Sequence, residues 1–362
     1  MMKVCLLADA GSRHTHKWCK YLTERGCQVS VISLSSGEIP GVKVYSLEID
    51  METLSYKRTF AKLKYLFNYR RVRSLLKEIK PDILHAHYAS SYGALGALAK
   101  YKPYIISVWG SDVFEFPQKS KLHAALLKYN LSKADYLFST SEVMAKETAK
   151  YTGKKIEITP FGVDMTVFKQ FSVDRSEKGM IIGTVKSLEL NYGMEYLIRA
   201  FAQLKGWHPD IDMRLEIGGK GSLEHQLKEL VAQLNIEEHV SFLGFLNQEE
   251  VAQAFNRFDI AVFPSINESF GVAAVEAQAC GTPVIVSDVG GLPEATSPAY
   301  SSIVVKSMDV QGFAKAMEKL IMDKYLREEM GRNGIEYVKK HFEVNSNFDK
   351  VLTLYKNILD KK

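Results

Sequence analysis

Short apolar runs bounded by turn residues alternate with longer stretches whose apolar positions recur at helical spacing, from residue 3 almost to the end of the chain. That alternation constrains the fold more than any other feature, because it is the pattern of βαβ units and parallel sheets. Strands are predicted near 3–8, 28–34, 83–87, 104–108 and 135–139, with helices near 15–26, 57–79, 91–100, 120–132 and 142–152. The segment "ITPFGVDMTVFKQFSVDRSEKG", ending at Gly179, interrupts the pattern with Pro160, Gly162 and a polar stretch, and reads as a linker. Strands then resume near 180–185, 213–218, 240–243, 259–263, 283–287 and 302–305. After residue 308 the sequence reads as helix to the end. The predicted fold class is therefore α/β, with two doubly wound Rossmann-like domains in series.

A length of 362 residues suits two domains. The start of the chain has only a short apolar run before Asp9, and no later run approaches the roughly 18 uninterrupted apolar residues that a membrane span needs. A cytoplasmic location is expected. Cys5, Cys19, Cys27 and Cys280 show no CxxC spacing and are expected to be buried, reduced thiols.

The net charge of +5 conceals an asymmetry: residues 1–168 carry 25 Lys and Arg against 15 Asp and Glu, and residues 169–362 carry 22 against 27. Much of the first excess lies in "SYKRTFAKLKYLFNYRRVRSLLKEIK", residues 55–80, which hold nine basic residues and one acidic. The spacing of Phe60, Leu63 and Phe67 suits a helix. Such a helix either lies on an anionic membrane surface or is a solvated helix packed on its own domain, and both readings stay open. Nucleic acid is not expected, since no recognised nucleic-acid motif accompanies the charge.

Open parallel sheets bind ligands at the carboxyl ends of their strands, and two such sheets joined by a linker suggest an interdomain cleft. At one strand's carboxyl end stands "ESFGVAAVEAQACGTPVIVSDVGG", residues 268–291. It reads as loop then helix, with Glu268 at the loop's end, the helix beginning near Ser269, and Gly281 as its stop. The amides of Ser269, Phe270, Gly271 and Val272 would then be unsatisfied first-turn donors suited to a phosphate, and Gly271 would let it come close. Two carboxylates repel a phosphate but accept hydrogen bonds from hydroxyls in pairs. Eight helical residues rise about 12 Å, comparable with the distance between the two sugars flanking a diphosphate, so Glu268 and Glu276 are expected to take one sugar each with the helix amides between them for phosphate. The bland reading makes Glu268 a helix-terminal acid and Glu276 a solvated one.

The wider stretch "PSINESFGVAAVEAQACGTPVIVSDVGGLPE" resembles the donor-site signature of family 4 glycosyltransferases, retaining enzymes of the GT-B fold with a Glu-x7-Glu motif. "PDILHAHYASSYG", "SVWGSDV", "ADYLFSTSE", "ITPFGVD", "YLIRAF", "LEIGGKGSLEHQL" and "VSFLGF" follow the family's order. The resemblance implies that the product is a retained glycosidic linkage, that the donor is a nucleoside-diphosphate sugar with UDP favoured over GDP, and that no cofactor is needed. It implies that Glu268 contacts the transferred sugar, Glu276 the ribose diol, and that the helix amides receive the diphosphate. It also implies an N-terminal acceptor domain at 1–168, a nucleotide-sugar domain at 169–342, and a terminal helix at 343–362 crossing back to the first domain. The acceptor is expected to be a saccharide or lipid-linked acceptor of glycan or envelope polysaccharide biosynthesis, met by the chain peripherally on the inner face of the membrane.

Two departures stand out. The family usually carries an Arg and a Lys about five residues apart after the first strand of the second domain, to neutralise the departing diphosphate. The corresponding loop is "GTVKSLELNYG", in which Ser187 and Asn191 fall at or near those positions and Lys186 is the only base. Leaving-group stabilisation is largely electrostatic, so Lys186 is the expected source, with Lys220 beside Gly219 in "GGKGS" as helper. The second departure is Trp109, where many members place a histidine. Trp109 and Asp112 are expected to line the sugar or acceptor pocket, against a packed tryptophan beside a helix-capping aspartate.

Gly11, Ser12 and His14 follow the first strand and are expected to bind the acceptor. His85 and His87 are expected to alternate on their strand so that only one faces a given side, with His87 the better site candidate. No Asp-x-Asp pair sits at a strand's carboxyl end, and His14 and His16 lack zinc spacing, so metal-independent transfer is expected. Rival readings are a nucleotide-sugar epimerase or hydrolase of the same fold and a noncatalytic partner subunit. An oxidoreductase is disfavoured because no G-x-G-x-x-G follows the first strand.

Overall fold

The computed structural model describes residues 1–49, 64–172 and 179–361, and the chain divides into two compact units. The first comprises Met1–Phe161 and Asn345–Lys362, the second Gly162–Val344. The crossing at 161/162 falls ahead of the boundary read from the polar linker. Its cause is local: Val163 donates to Phe342 O (2.6 Å), Val344 donates to Val163 O (3.1 Å), and Asn256 bonds Lys169 O (2.9 Å) and Phe171 N (2.8 Å), all within the second unit.

In the first unit the strands are β1 (Lys3–Leu7), β2 (Gln28–Ser33), β3 (Lys43–Ser46), β4 (Ile83–His87), β5 (Tyr104–Val108), β6 (Tyr136–Ser139) and β7 (Ile156–Ile158). Among the described residues they form one parallel sheet in the order β3-β2-β1-β4-β5-β6-β7. The helices of this unit before the crossing are α1 (Arg13–Glu24), α2 (Tyr69–Ile79), α3 (Ser91–Ala99), the short α4 (Ser111–Phe114), α5 (Lys121–Lys133) and α6 (Glu142–Ala149). The edge strands β3 and β7 lie outside the expected set. Both are short and half-buried, with a Lys or Glu among few apolar residues, so they lack the run that signals an inner strand.

The second unit holds β8 (Met180–Val185), β9 (Met213–Gly218), β10 (Val240–Gly244), β11 (Ile260–Phe263), β12 (Val284–Ser287) and β13 (Ser302–Val305), parallel in the order β10-β9-β8-β11-β12-β13. Its helices are α7 (Met194–Trp207), α8 (Glu224–Gln233), α9 (Gln248–Arg257), α10 (Val272–Ala279), α11 (Leu292–Thr296), α12 (Val310–Met322) and α13 (Lys324–His341). Helix α14 (Val344–Leu359) then enters the first unit. The helical tail beyond 308 is thus three helices. Asp323 separates the first two by accepting the Leu326 amide (2.9 Å) as an N-cap.

One face of the first sheet is covered by α2, α3 and α5, which share a core with Leu7, Ile32, Leu84, Ile106 and Leu137. On the other side, α1 and α14 close over β4: Trp18 and Tyr21 pack on Phe348 (5.1 and 5.0 Å between ring centres), and Arg25 Nε pairs with Asp349 at 2.7 Å. Of the basic stretch 55–80, residues 55–63 lie outside the described residues, including Phe60 and Leu63. The described remainder is a 3-10 turn at Lys64–Asn68 followed by α2. No helix among the described residues is long and apolar enough to cross a membrane. All four cysteines are buried and unpaired, and desolvation pushes the thiols of Cys5, Cys19 and Cys280 up to about 12.

Candidate functional site

Each sheet reverses its strand order at one place, between β1 and β4 in the first unit and between β8 and β11 in the second, and loops diverge there to leave room for a ligand. In the second unit the loop after β8 (residues 186–193) lies against the loop after β11 (residues 264–271). Asn191 O accepts the amides of Ile266 (2.8 Å) and Asn267 (3.0 Å). The backbone of Asn191 therefore joins the two loops, and its side chain belongs to an exposed residue.

Across this junction Lys186 Nζ meets Glu268 Oε2 at 2.5 Å, with side chains 17% and 10% exposed. Lys186 also lies over the Tyr192 ring, 4.4 Å from its centre. Two expected catalytic residues, 82 positions apart, are thus brought into one ion pair. Tyr192 was not anticipated. Its only sequence signal was an aromatic in the loop of a lone lysine. Glu189 is a second unforeseen contributor: it accepts from Ser222 N (2.8 Å) and Ser222 Oγ (2.5 Å), which lowers its carboxyl pKa and ties the β8 loop to the β9 loop.

Two glycines permit this backbone packing. A Cβ at Gly290 (φ +52°) would stand 1.6 Å from Glu268 O, and one at Gly219 (φ +128°) would stand 1.9 Å from Lys186 O. Both positive φ values also favour glycine. Lys220, next to Gly219, is exposed, and its carbonyl takes the Leu188 amide at 3.0 Å.

The helix after Glu268 begins later than expected. Gly271 is the N-cap (φ +102°), and α10 starts at Val272. Ser269 and Phe270 therefore belong to the loop, and the first-turn amides begin at Val272. The physical reason is Gly271: its left-handed backbone cannot lie inside a right-handed helix, so the helix starts after it. Only residues 272–276 of the Glu268–Glu276 interval are helical, a rise of roughly 6 Å, so the two carboxylates are not spaced by about 12 Å of continuous helix. Val272, Ala273 and Glu276 are nonetheless the less buried residues of α10's first turns and share one face. Phe270 is buried, edge-on to Phe342 at 5.3 Å, and acts as the loop's apolar anchor.

In the first unit the corresponding loops follow β1, β4 and β5. Asp9 shapes the first, taking Gly11 N (3.1 Å) and Ser35 Oγ (3.1 Å). Gly11 is exposed and Ser12 half-buried at the start of α1. His14, in the first turn of α1, stacks on Phe161 with ring centres 4.1 Å apart and meets the edge of Trp109 at 5.7 Å. Trp109 in turn lies 4.4 Å from His87. His14, His87 and Trp109 are therefore gathered into one aromatic cluster.

Two expectations need correction here. Asp112 is fully buried, and its oxygens take the amides of Ala89 (2.7 Å), Gly110 (2.8 Å) and Trp109 (3.1 Å). Burial raises its pKa, and these bonds work against that rise. Asp112 fixes the β4 and β5 loops instead of presenting a carboxylate to a pocket. His85 and His87, being two residues apart, share a face of β4 because side chains alternate with period two. Their rings lie 4.8 Å apart, and both contact Trp18. His85 bonds Tyr355 OH (2.6 Å) and Ser107 Oγ (2.7 Å), whereas His87 is buried with neither ring nitrogen hydrogen-bonded. Burial lowers the pKa of His85 to about 3 and takes that of His87 well below the usual value.

Two doubly wound parallel units in series, each with a switch point where loops diverge, are the architecture of the GT-B class. Comparison with known proteins gives the family. The family model for "Glycosyl transferase 4-like" proteins matches residues 3–141, and that for "Glycosyl transferases group 1" matches residues 167–337. The chain belongs to the GT4-type glycosyltransferases. An uncharacterised glycosyltransferase of Methanocaldococcus jannaschii is 26% identical over 294 residues, 80% of each chain. N-acetyl-alpha-D-glucosaminyl L-malate synthase of Bacillus anthracis is 27% identical, over 77% of this chain and 75% of that one. D-inositol 3-phosphate glycosyltransferase of Pseudarthrobacter chlorophenolicus is 35% identical over 55% of this chain, a match spanning half of that protein. Among solved structures, sucrose-phosphate synthase of Thermosynechococcus elongatus superposes with TM-score 0.86 at 19% identity over the full length of both chains. HepE of Anabaena, in complex with UDP, superposes with TM-score 0.82 at 19% identity over 98% of this chain and 100% of that one.

Proposed function

We propose that this glycosyltransferase moves a sugar from a nucleoside-diphosphate donor, UDP ahead of GDP, to a saccharide, lipid-linked or other anionic acceptor, with retention and without a metal. The observation that carries the reading is the Lys186–Glu268 pair at the switch point of the second sheet. In the proposed reaction the bond from the anomeric carbon to the diphosphate oxygen breaks. The acceptor oxygen bonds that carbon from the same face and passes its proton to the departing diphosphate. Glu268 faces the positive charge that develops on the sugar, and Lys186 balances the leaving group. The amides of Val272 and Ala273, which precede the first helical bond from Ala274 N to Gly271 O, receive the diphosphate, and Glu276 on the same helix face takes the ribose hydroxyls. HepE binds UDP and UDP-glucose, which supports the donor class.

For the acceptor, Gly11, Ser12 and His14 are the proposed contacts, with the buried Trp109 and His87 packed behind His14 and Asp112 holding their loops. The malate and inositol phosphate in two relatives' names are anionic, which supports an anionic acceptor. Peripheral contact with a membrane through the basic stretch 55–80 completes the reading.

The test is thermal unfolding of the wild type and Glu276→Ala with UDP, GDP, ADP and their sugar conjugates. Ligand at 100 times its dissociation constant adds about 2.7 kcal/mol, a shift of several degrees. A shift specific to uridine ligands and lost in the variant is expected. Equal binding by Glu276→Ala would sink the ribose assignment, and no shift with any nucleotide would favour the noncatalytic reading, to which the single base of the 186–193 loop already lends some weight.

A further inference from the structure

The face of the first unit formed by α2 and α5 leaves an amphipathic surface that the transfer reaction does not use. Helix α3 is buried almost throughout and packs against α2 on one side and α5 on the other, so both outer helices stand in one layer over the same core. The inner face of α5 is buried at Leu127, Asn130 and Leu131. Its outer face runs Leu122, Ala125, Tyr129 at spacings of three and four. Leu122 is 71% exposed and Tyr129 is 39% exposed. Phe67 is 76% exposed and lies in the 3-10 turn ahead of α2, a turn that itself contacts α3.

Cations surround these apolar side chains. Residues 65–80 and 115–133 together hold nine Lys or Arg and two acids, Glu78 and Glu115. Glu78 is itself paired with Lys43 at 3.6 Å. Lys133 lies over the Tyr129 ring at 5.2 Å, so the aromatic and the charge present themselves together. Arg73 is spent inward on the carbonyls of Leu98 and Ala99, and Arg70, Arg71, Lys119, Lys121 and Lys128 are on exposed residues.

From this arrangement we propose that the outer face of α5 is a docking surface for an anionic lipid bilayer, with Leu122 and Tyr129 inserting at the headgroup boundary and the flanking lysines meeting lipid phosphates. Basic side chains around isolated large apolar anchors are the chemistry of an interfacial helix. The proposal rests on the reading of residues 55–80 as membrane-facing and adds a second element, α5, to it.

The test is co-sedimentation of the full chain with vesicles of phosphatidylcholine containing about 30 mol% phosphatidylglycerol, against pure phosphatidylcholine, over a salt series. Wild type is expected to bind the anionic vesicles and to be released as salt rises. Leu122→Glu with Tyr129→Glu is expected to weaken binding about tenfold or more. Tyr325→Glu, at a 72% exposed aromatic of the second unit, serves as the matched control and is expected to bind like wild type. Equal binding by the α5 variant, with loss in Arg70→Glu and Arg71→Glu, would overturn the role of α5 while leaving the basic stretch intact. No binding by wild type would overturn both. Preference for an RNA duplex over vesicles at equal phosphate would reassign the face to nucleic acid.

Discussion

Replacing Lys186 by Met removes one partner of an ion pair whose heavy atoms are 2.5 Å apart and whose side chains are 17% and 10% exposed. A hydrogen bond to a charged group contributes about 1.5–3 kcal/mol, and at this degree of burial solvent screens little of it. The variant leaves the Glu268 side chain, 10% exposed, without this partner, so a loss of about 2 kcal/mol is expected. For a unit of roughly 150–250 residues that lowers the unfolding midpoint by about 4–8 °C. Glu268→Gln should cost a similar amount, and the double variant should cost less than the two singles together by about 1.5–3 kcal/mol. Calorimetry of the four proteins gives the coupling. Transfer measured on the same proteins should fall by about 10²–10³ in kcat for Lys186→Met, the usual effect of losing one electrostatic contact to a leaving group. A coupling within about 0.5 kcal/mol of zero would mean the two groups act independently, and the reasoning from the pair would be wrong.

Gly290→Ala sets a Cβ 1.6 Å from Glu268 O at a positive φ, and a loss of more than about 3 kcal/mol or failure to fold is expected, read by chemical denaturation. Stability should fall in acid because His85 and His87 are buried neutral while their unfolded counterparts titrate near 6.5. The unfolded chain then binds more protons below pH 6.5, so stability is full above that value and is lost as pH drops toward 3, by up to about 1.4 kcal/mol per pH unit for His85 alone. Unfolding midpoints from pH 7 to 4 for wild type and His85→Asn should show a shallower slope in the variant. Tyr355→Phe removes the hydroxyl partner of His85 Nδ1 and should cost about 1–3 kcal/mol, seen as a lower denaturant midpoint.

Much of the fold was legible because inner parallel strands need apolar runs, and β1, β4, β5, β8, β9 and β12 fall where those runs are. The edge strands β3 and β7 were not, because at four and three residues, with a Lys or a Glu among them, they lack an apolar run, whereas the edge strands β10 and β13 keep one. Glu268, Glu276 and Lys186 could be singled out from sequence because motif and loop composition are local. That Lys186 and Glu268 form one pair could not, because the pairing depends on β8 and β11 becoming neighbours across a reversal of strand order. The same holds for Asp112, whose residue type suggested a ligand and whose neighbours consumed it, and for His14, His87 and Trp109, which meet only through three separate strand ends.

The sequence by itself determined the class of fold, the family, and the acidic loop that marks the second unit, because periodicity and motif are properties of contiguous residues. Only the tertiary structure decided which of those residues face one another, where α10 begins, and which apolar side chains on α5 were left in water. Those outcomes follow from burial and backbone packing between segments far apart in the chain, and no local pattern encodes them.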